Sequence, residues 1–96
     1  MIIGKILDSF LTRRGRIYII HFNNSEYSPT MGGQILFNNE ILLNIKPYGM
    51  GKHNYYKDGI LCATNVWSCT FENINAENCI VDIPIGSNLV VLKSID

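Results

Sequence analysis

The chain is poor in the features that commit a sequence to a known chemistry. Of its 96 residues only three are cysteines, Cys62, Cys69 and Cys79, an odd number with no CxxC pair. A disulfide framework normally shows more cysteines and an even count, so the expected compartment is a reducing one, the cytoplasm. Charge is scarce and balanced: eight Lys and Arg against eight Asp and Glu give a formal net charge of zero. That denies the chain the broad positive field on which nonspecific nucleic-acid binders rely. DNA is therefore not an expected partner, and any RNA contact has to be local. No run approaches the ~18 to 20 apolar residues of a membrane helix. The start, Met-Ile-Ile-Gly-Lys, reaches Asp8 without the long apolar core or small-residue cleavage site of an export signal. No membrane association is expected. Heptads, internal repeats, low-complexity tracts and the GxxxxGK[ST] phosphate-binding loop are all missing.

What is present is apolar and punctuated. Hydrophobic residues make up 47% of the sequence and charged ones 17%, the composition of a folded globule. The length fits one domain spanning residues 1–96, with no room for a catalytic and a recognition domain side by side. The stretch DSFLTRRGRIYII, Asp8 to Ile20, sets the pattern: an apolar strand end, a basic turn in which Gly15 can take a positive φ, and a second apolar strand. Residues Ile2 to Phe10 form the first strand. Arg16 to Phe22 alternates Ile17, Ile19 and His21 against Tyr18, Ile20 and Phe22, so both faces are apolar and the strand is expected to be covered on both sides or to lie where a barrel wall meets a partner.

Asn23 to Gly33, with Pro29 and a glycine pair, reads as a loop. Gln34 to Phe37 and Glu40 to Lys46 then read as a hairpin turning at Asn38-Asn39, with Ile41, Leu43 and Ile45 facing inward. PYGMGKHNYYKD, Pro47 to Asp58, shows no period of either two or 3.6 and is predicted to be a long exposed loop. Gly59 to Val66 restarts an apolar strand that Ser68 to Phe71 continues or pairs with, and Glu72 to Asn78 is turn-like. Cys79 to Ile83 and Asn88 to Leu92 are the last predicted strands, parted by Pro84-Ile85-Gly86-Ser87. Short strands with turns about every 8 to 12 residues predict an all-β protein. A small closed antiparallel β-barrel of about six to seven strands is the preferred form, because closure removes edges that so few charged residues could guard.

With these strands in place the chain resembles the second-domain β-barrel of translational GTPases such as elongation factor Tu. Three segments carry the likeness. DSFLTRRGRIYII resembles that family's strand, basic Gly-Arg turn and strand. GGQILFNNEILLN resembles the next hairpin, with Asn39-Glu40 at its turn. ATNVWSCTFENINAENCIVDIPIGSNLVVL is similar to the closing part through Ala63, Ile74, Asp82-Ile83 and Gly86. The sequence departs from the pattern at Asn23-Asn24, where the family has a turn glycine, and between Asn75 and Asp82, where it is longer. Without a phosphate-binding loop it is no GTPase by itself. The resemblance implies a non-catalytic binding module whose partner is a translation component, as protein or as RNA.

Two groups of side chains are candidates for binding. Arg13, Arg14 and Arg16 gather at one turn, where guanidiniums could clamp phosphates or simply be solvated. Tyr48, Lys52, His53, Tyr55, Tyr56 and Lys57 bring rings and donors together, as a protein interface or a single-stranded RNA platform does, although tyrosines over a barrel mouth would look the same. His53 with the three cysteines offers nominal zinc ligands, but the spacing matches no zinc pattern and buried structural cysteines are expected. A Cys–His nucleophile lacks any orienting partner or oxyanion motif, so neither an enzyme nor a metal or other cofactor is expected and the small hydrolase is the minor alternative. His21 is read as a satisfied histidine of the core or barrel mouth, and Trp67 as core or rim packing. An immunity protein, or antitoxin, that occludes a cognate bacterial toxin is the other protein-binding class that this size and neutral charge fit.

Overall fold

The computed structural model describes residues 1–13, 15–37, 41–49, 51–73 and 82–92, with the side chains of residues 41–43 and 73 excepted. Among the described residues seven strands run β1 (Ile2–Thr12), β2 (Gly15–Phe22), β3 (Gln34–Phe37), β4 (Ile41–Pro47), β5 (His53–Lys57), β6 (Ile60–Asn73) and β7 (Asn88–Leu92). A 3-10 turn, Pro29–Met31, lies between β2 and β3, with the Ser28 hydroxyl accepting from the Thr30 amide. Among the described residues no helix is long and apolar enough to cross a membrane.

Six of the strands close a ring. Neighbours follow the order β2-β1-β7-β3-β4-β6, and β6 returns to β2 through Tyr18↔Cys69, Ile19↔Ser68, Ile20↔Trp67 and His21↔Val66. Every pairing is antiparallel. The barrel expected from the apolar runs is the barrel observed, with β5 as one strand outside the ring.

The alternation of β2 explains the interior. Tyr18, Ile20 and Phe22 point inward and pack with Ile6, Ile35, Trp67, Cys69, Ile83 and Leu89. Ile17 and Ile19 point outward and are buried all the same, so this strand is covered on both sides. Each fully buried isoleucine contributes about 1.5–3 kcal/mol relative to exposure, and the core holds several. Trp67 belongs to it, as its sequence reading anticipates.

Two details shape the outer wall. A β-bulge in β1 falls between Ile6↔Ile20 and Asp8↔Ile19, so Leu7 is the extra residue and its side chain is spared for the outside. The bulge is held by the turn before β7: the Gly86 amide donates to the Ile6 carbonyl at 2.8 Å, and the Ile6 amide to the Ser87 carbonyl at 3.0 Å. Pro84 to Ser87 is thus a turn, as expected, and it serves the β1 bulge.

Three sequence expectations need correcting. His53–Lys57, inside the stretch read as a long loop, is strand β5 and pairs with β6. Aperiodic polarity misleads here because neither face of β5 enters the core, so nothing selects for alternation. Glu72 and Asn73 complete β6 and are not a turn. Asp82 and Ile83 are irregular, not a strand; Ile83 is buried and donates its amide to the Tyr18 hydroxyl at 3.2 Å. Residues 38–40, and the rest of the segments read as a turn to Asn78 and a strand from Cys79, lie outside the described residues.

Two measurements check this packing. A Cβ added at Gly4 would stand 2.8 Å from Phe22 Cε1 and 2.9 Å from Ile20 Cγ2, so Gly4→Ala is expected to cost about 1–3 kcal/mol in urea unfolding. Burial also raises the Cys69 thiol well above its ordinary pKa and pushes the Tyr27 hydroxyl up to about 12. Both groups ionise earlier in the unfolded chain, so the stability they support is complete below the free thiol value of about 8.5 and is lost as pH rises above it. Cys69→Ala is expected to flatten the onset of that alkaline loss in unfolding curves taken between about pH 7.5 and 9.5, a window set by about one pH unit either side of free-thiol ionisation.

A candidate binding surface on the hairpin arm

The long β6 belongs to two structures. Its second half lies in the ring, where Leu43 to Pro47 pair with Asn73 to Cys69 and β2 flanks the other side from Val66 onward. Its first half leaves the ring and pairs with β5 alone, through Tyr55↔Ala63, Tyr56↔Leu61 and Lys57↔Ile60. The two strands meet at Asp58-Gly59, both at positive φ, 53° and 77°. That is the backbone of a two-residue hairpin turn, for which Asp-Gly is a favoured pair because it matches the right-handed twist of the strands. The signal was present in the sequence and identifies the arm that the loop reading missed.

Asn65 sets the direction of the arm. It is the buried polar residue at the point of departure and takes a positive φ of 53°, a conformation that Asn tolerates better than most residues. Its Nδ2 donates to the carbonyls of Phe22 and Asn24 at 3.2 and 3.0 Å, and its Oδ1 accepts from Trp67 Nε1 at 3.3 Å. One side chain therefore satisfies two main-chain carbonyls where β2 ends and the indole of a core tryptophan. A second tie lies on the outer wall, where His21 Nδ1 stands 2.8 Å from the Thr64 carbonyl. The carbonyl can only accept, so Nδ1 carries the proton.

The arm is exposed, and not only in its polar residues. Tyr56, Ile60 and Leu61 are 58%, 68% and 49% exposed, while His53, Asn54 and Lys57 are open to solvent and Tyr55 is half-buried. The aromatic and basic candidates thus share an arm with apolar residues that the sequence reading left out. Lys52 is exposed in the connection before β5. Tyr48 stands apart, its amide donating to the Ser68 carbonyl at 2.8 Å, and its ring shares a depression of about 350 Å³ with Phe71 and Ile17. Lys46, at the rim of that depression, pairs with Glu72 at 3.1 Å.

The arginine turn is at the other end of β2. Arg13 is exposed, and Arg14 lies outside the described residues. Arg16 is engaged: Nε is 3.6 Å from Asp82 Oδ1, and Nη1 donates to Ser9 Oγ at 3.2 Å. Arg16 and His21 bracket β2, a separation of about 16 Å at about 3.3 Å per residue. The two candidate clusters do not form one site.

The cysteines also divide. Cys69 is buried, as expected, whereas Cys62 is exposed on the arm, contrary to expectation, and its Sγ donates to the Ile60 carbonyl at 3.4 Å. The alternation of β6 would bury Cys62 only if the arm had a covered face. Cys79 lies outside the described residues. Among the described residues no three His, Cys, Asp or Glu side chains gather as a metal site would require. His21 is not a core histidine: it is half-buried on the outer wall, with Lys5 opposite it on β1 and Val66 on β6. With Lys5, Leu7 and residues Leu61 to Thr64 it lines a groove of about 540 Å³ between arm and barrel.

Asn65→Ala is expected to destabilise by about 1–3 kcal/mol, because the buried Phe22 carbonyl and Trp67 indole each lose a partner, whereas the Asn24 carbonyl keeps the Tyr27 amide. Asn65→Gly relieves the backbone cost of the positive φ and is expected to recover no more than about 1 kcal/mol of it. Full recovery by glycine, measured by urea unfolding, would show that the hydrogen bonds contribute nothing. Compared with family models, with curated proteins and with solved structures, the chain matches none. The closed antiparallel ring is compatible with a small-barrel fold, and no family relationship to the translation factors is shown.

Proposed function

We propose that this protein is a non-catalytic binding module that holds a protein partner on the β5–β6 arm. The observation that carries this reading is the exposure of Tyr56, Ile60 and Leu61 on a hairpin that adds nothing to the core. Keeping such residues in water is unfavourable by about 1.5–3 kcal/mol each relative to burial, and clustered exposed apolar residues mark interaction sites more often than packing accidents. Aromatic and apolar anchors beside Lys52 and Lys57 have the mixed character of an interface centre with a polar rim.

Protein is favoured over RNA for two reasons. Ile60 and Leu61 offer no ring on which a base could stack, and the Arg16 guanidinium is already engaged by Asp82 and Ser9. The resemblance to translation-factor barrels makes a translation component in the cytoplasm the first class of partner to examine, and the closed six-stranded ring supports that choice. A toxin held by its immunity protein would use the same surface.

Affinity capture from the native cell separates these readings. The wild-type chain is expected to retain a protein that Tyr56→Ser/Ile60→Ser releases at least tenfold more readily. Thermal unfolding should stay nearly unchanged, because exposed substitutions lie within about 0.5 kcal/mol of neutral. Retention of RNA that falls steeply with salt and is lost in Arg13→Ala/Arg14→Ala would replace the protein reading by the RNA one. Rescue of a cell poisoned by the captured protein would identify the partner as a toxin.

A further inference from the structure

The groove between arm and barrel is bounded on one side by four consecutive residues of β6, Leu61, Cys62, Ala63 and Thr64. The register shifts between Tyr56↔Leu61 and Tyr55↔Ala63, so Cys62 is an extra residue and alternation is interrupted along this side of β6. Main chain faces the groove at Thr64, whose carbonyl accepts from His21 Nδ1 at 2.8 Å. The register agrees. A two-residue turn makes Lys57 and Ile60 the hydrogen-bonded pair, which leaves the N–H and C=O of Leu61 directed away from β5. Among the described residues no strand pairs with β6 on that side before Val66.

Opposite this edge stand Lys5, Leu7 and His21 on the outer wall of β1 and β2. The bulge in β1 is what places Leu7 there. Leu7, Leu61 and Ala63 make the groove apolar, and Lys5 is the one formal charge in its lining, with no carboxylate among the lining residues. The open Leu61 stretch of the edge, the apolar walls and the lysine of the lining select the same kind of occupant.

We propose that the groove takes an extended segment of the protein partner, with apolar and acidic residues in alternation, which pairs with the Leu61 edge of β6 as a third strand of the arm. This rests on the protein-binding reading above and names the mode and chemistry of that contact. Main-chain hydrogen bonds to Leu61 supply the affinity common to strand addition, while Leu7 and Ala63 receive the apolar side chains. Lys5 selects a carboxylate over an ammonium, because a like charge set beside it is repelled and an opposite one attracted. Lys5, the tied imidazole of His21 and the Cys62 thiol are the charged or titratable groups in the lining, so an acidic strand meets no opposing carboxylate there.

The test uses the full chain and three capped hexapeptides: one alternating glutamate with valine, one alternating lysine with valine, and the first again with alternate amides N-methylated so that its pairing edge cannot donate. NMR titration reads affinity, and amide exchange reads protection at Leu61. The glutamate peptide is expected to bind, to slow exchange of the Leu61 amide at least tenfold at saturation, and to lose at least tenfold in affinity on N-methylation. Lys5→Glu, at an exposed position of β1, is expected to leave thermal unfolding unchanged and to invert the preference toward the lysine peptide. Unaltered Leu61 exchange, equal binding of the N-methylated peptide, or an unchanged charge preference in Lys5→Glu would each overturn the proposal. So would concentration-dependent self-association that protects Leu61 without any peptide, since a second copy would then be the occupant. Capture by the arm that depends on Tyr56 and Ile60 can persist through all of these outcomes, so failure of strand addition is distinguishable from failure of the protein-binding reading.

Discussion

The β2–β6 pairing is the contact on which the rest depends. It spans only Tyr18 to His21 against Cys69 to Val66, yet without it the sheet stays open and β2 is an apolar edge strand with both faces unprotected. Closure buries the inner face of β2 in the core and brings the outer residues Ile17 and Ile19 beneath their neighbours. Because the pairing stops at Val66, the remaining length of β6 has no place in the wall. It must leave, and it takes β5 with it.

The departure is built with economy of polar groups. The Phe22 carbonyl at the end of β2 and the Asn24 carbonyl just beyond it, which also accepts from the Tyr27 amide, lie at the point of departure, and buried unpaired carbonyls are costly. Asn65 answers both with one amide, accepts the Trp67 indole on its other atom, and adopts the positive φ that turns the chain outward. A side chain that also fixed the core tryptophan ties the position of the arm to the packing of the barrel. The arm is thereby held by the ring while contributing little to it, which leaves its own residues free to meet a partner.

This division explains why one molecule has two kinds of surface. On the ring some outward residues are engaged locally, as with Lys46 and Glu72 or Arg16, Asp82 and Ser9, while Phe10 and Leu11 near the end of β1 are exposed. On the arm, Tyr56, Ile60 and Leu61 face water. Between them, the bulge that carries Leu7 outward and the imidazole of His21 that holds Thr64 shape a groove with a strand edge along one side. The same departures from regular pairing that let the barrel close create the concave surface.

Apolar alternation in Arg16 to Phe22 and in Asn88 to Leu92, with turn residues between the runs, is enough to determine strands, because a period of two has no other use in a chain without helix signals. The two apolar faces of β2 likewise imply a strand covered twice. Asp58-Gly59 was legible too, as a hairpin turn, had the polar run before it not outweighed the pair. The arm's residues resisted reading because β5 packs against nothing, so its sequence carries no imprint of a buried face. That His21 faces a groove and not the core, that Arg16 is bound to Asp82, and that Lys5 and Leu7 stand across from Leu61 are outcomes of ring closure and of a one-residue bulge. Those depend on which strands meet at long range, and the pattern along a single strand does not encode its neighbour.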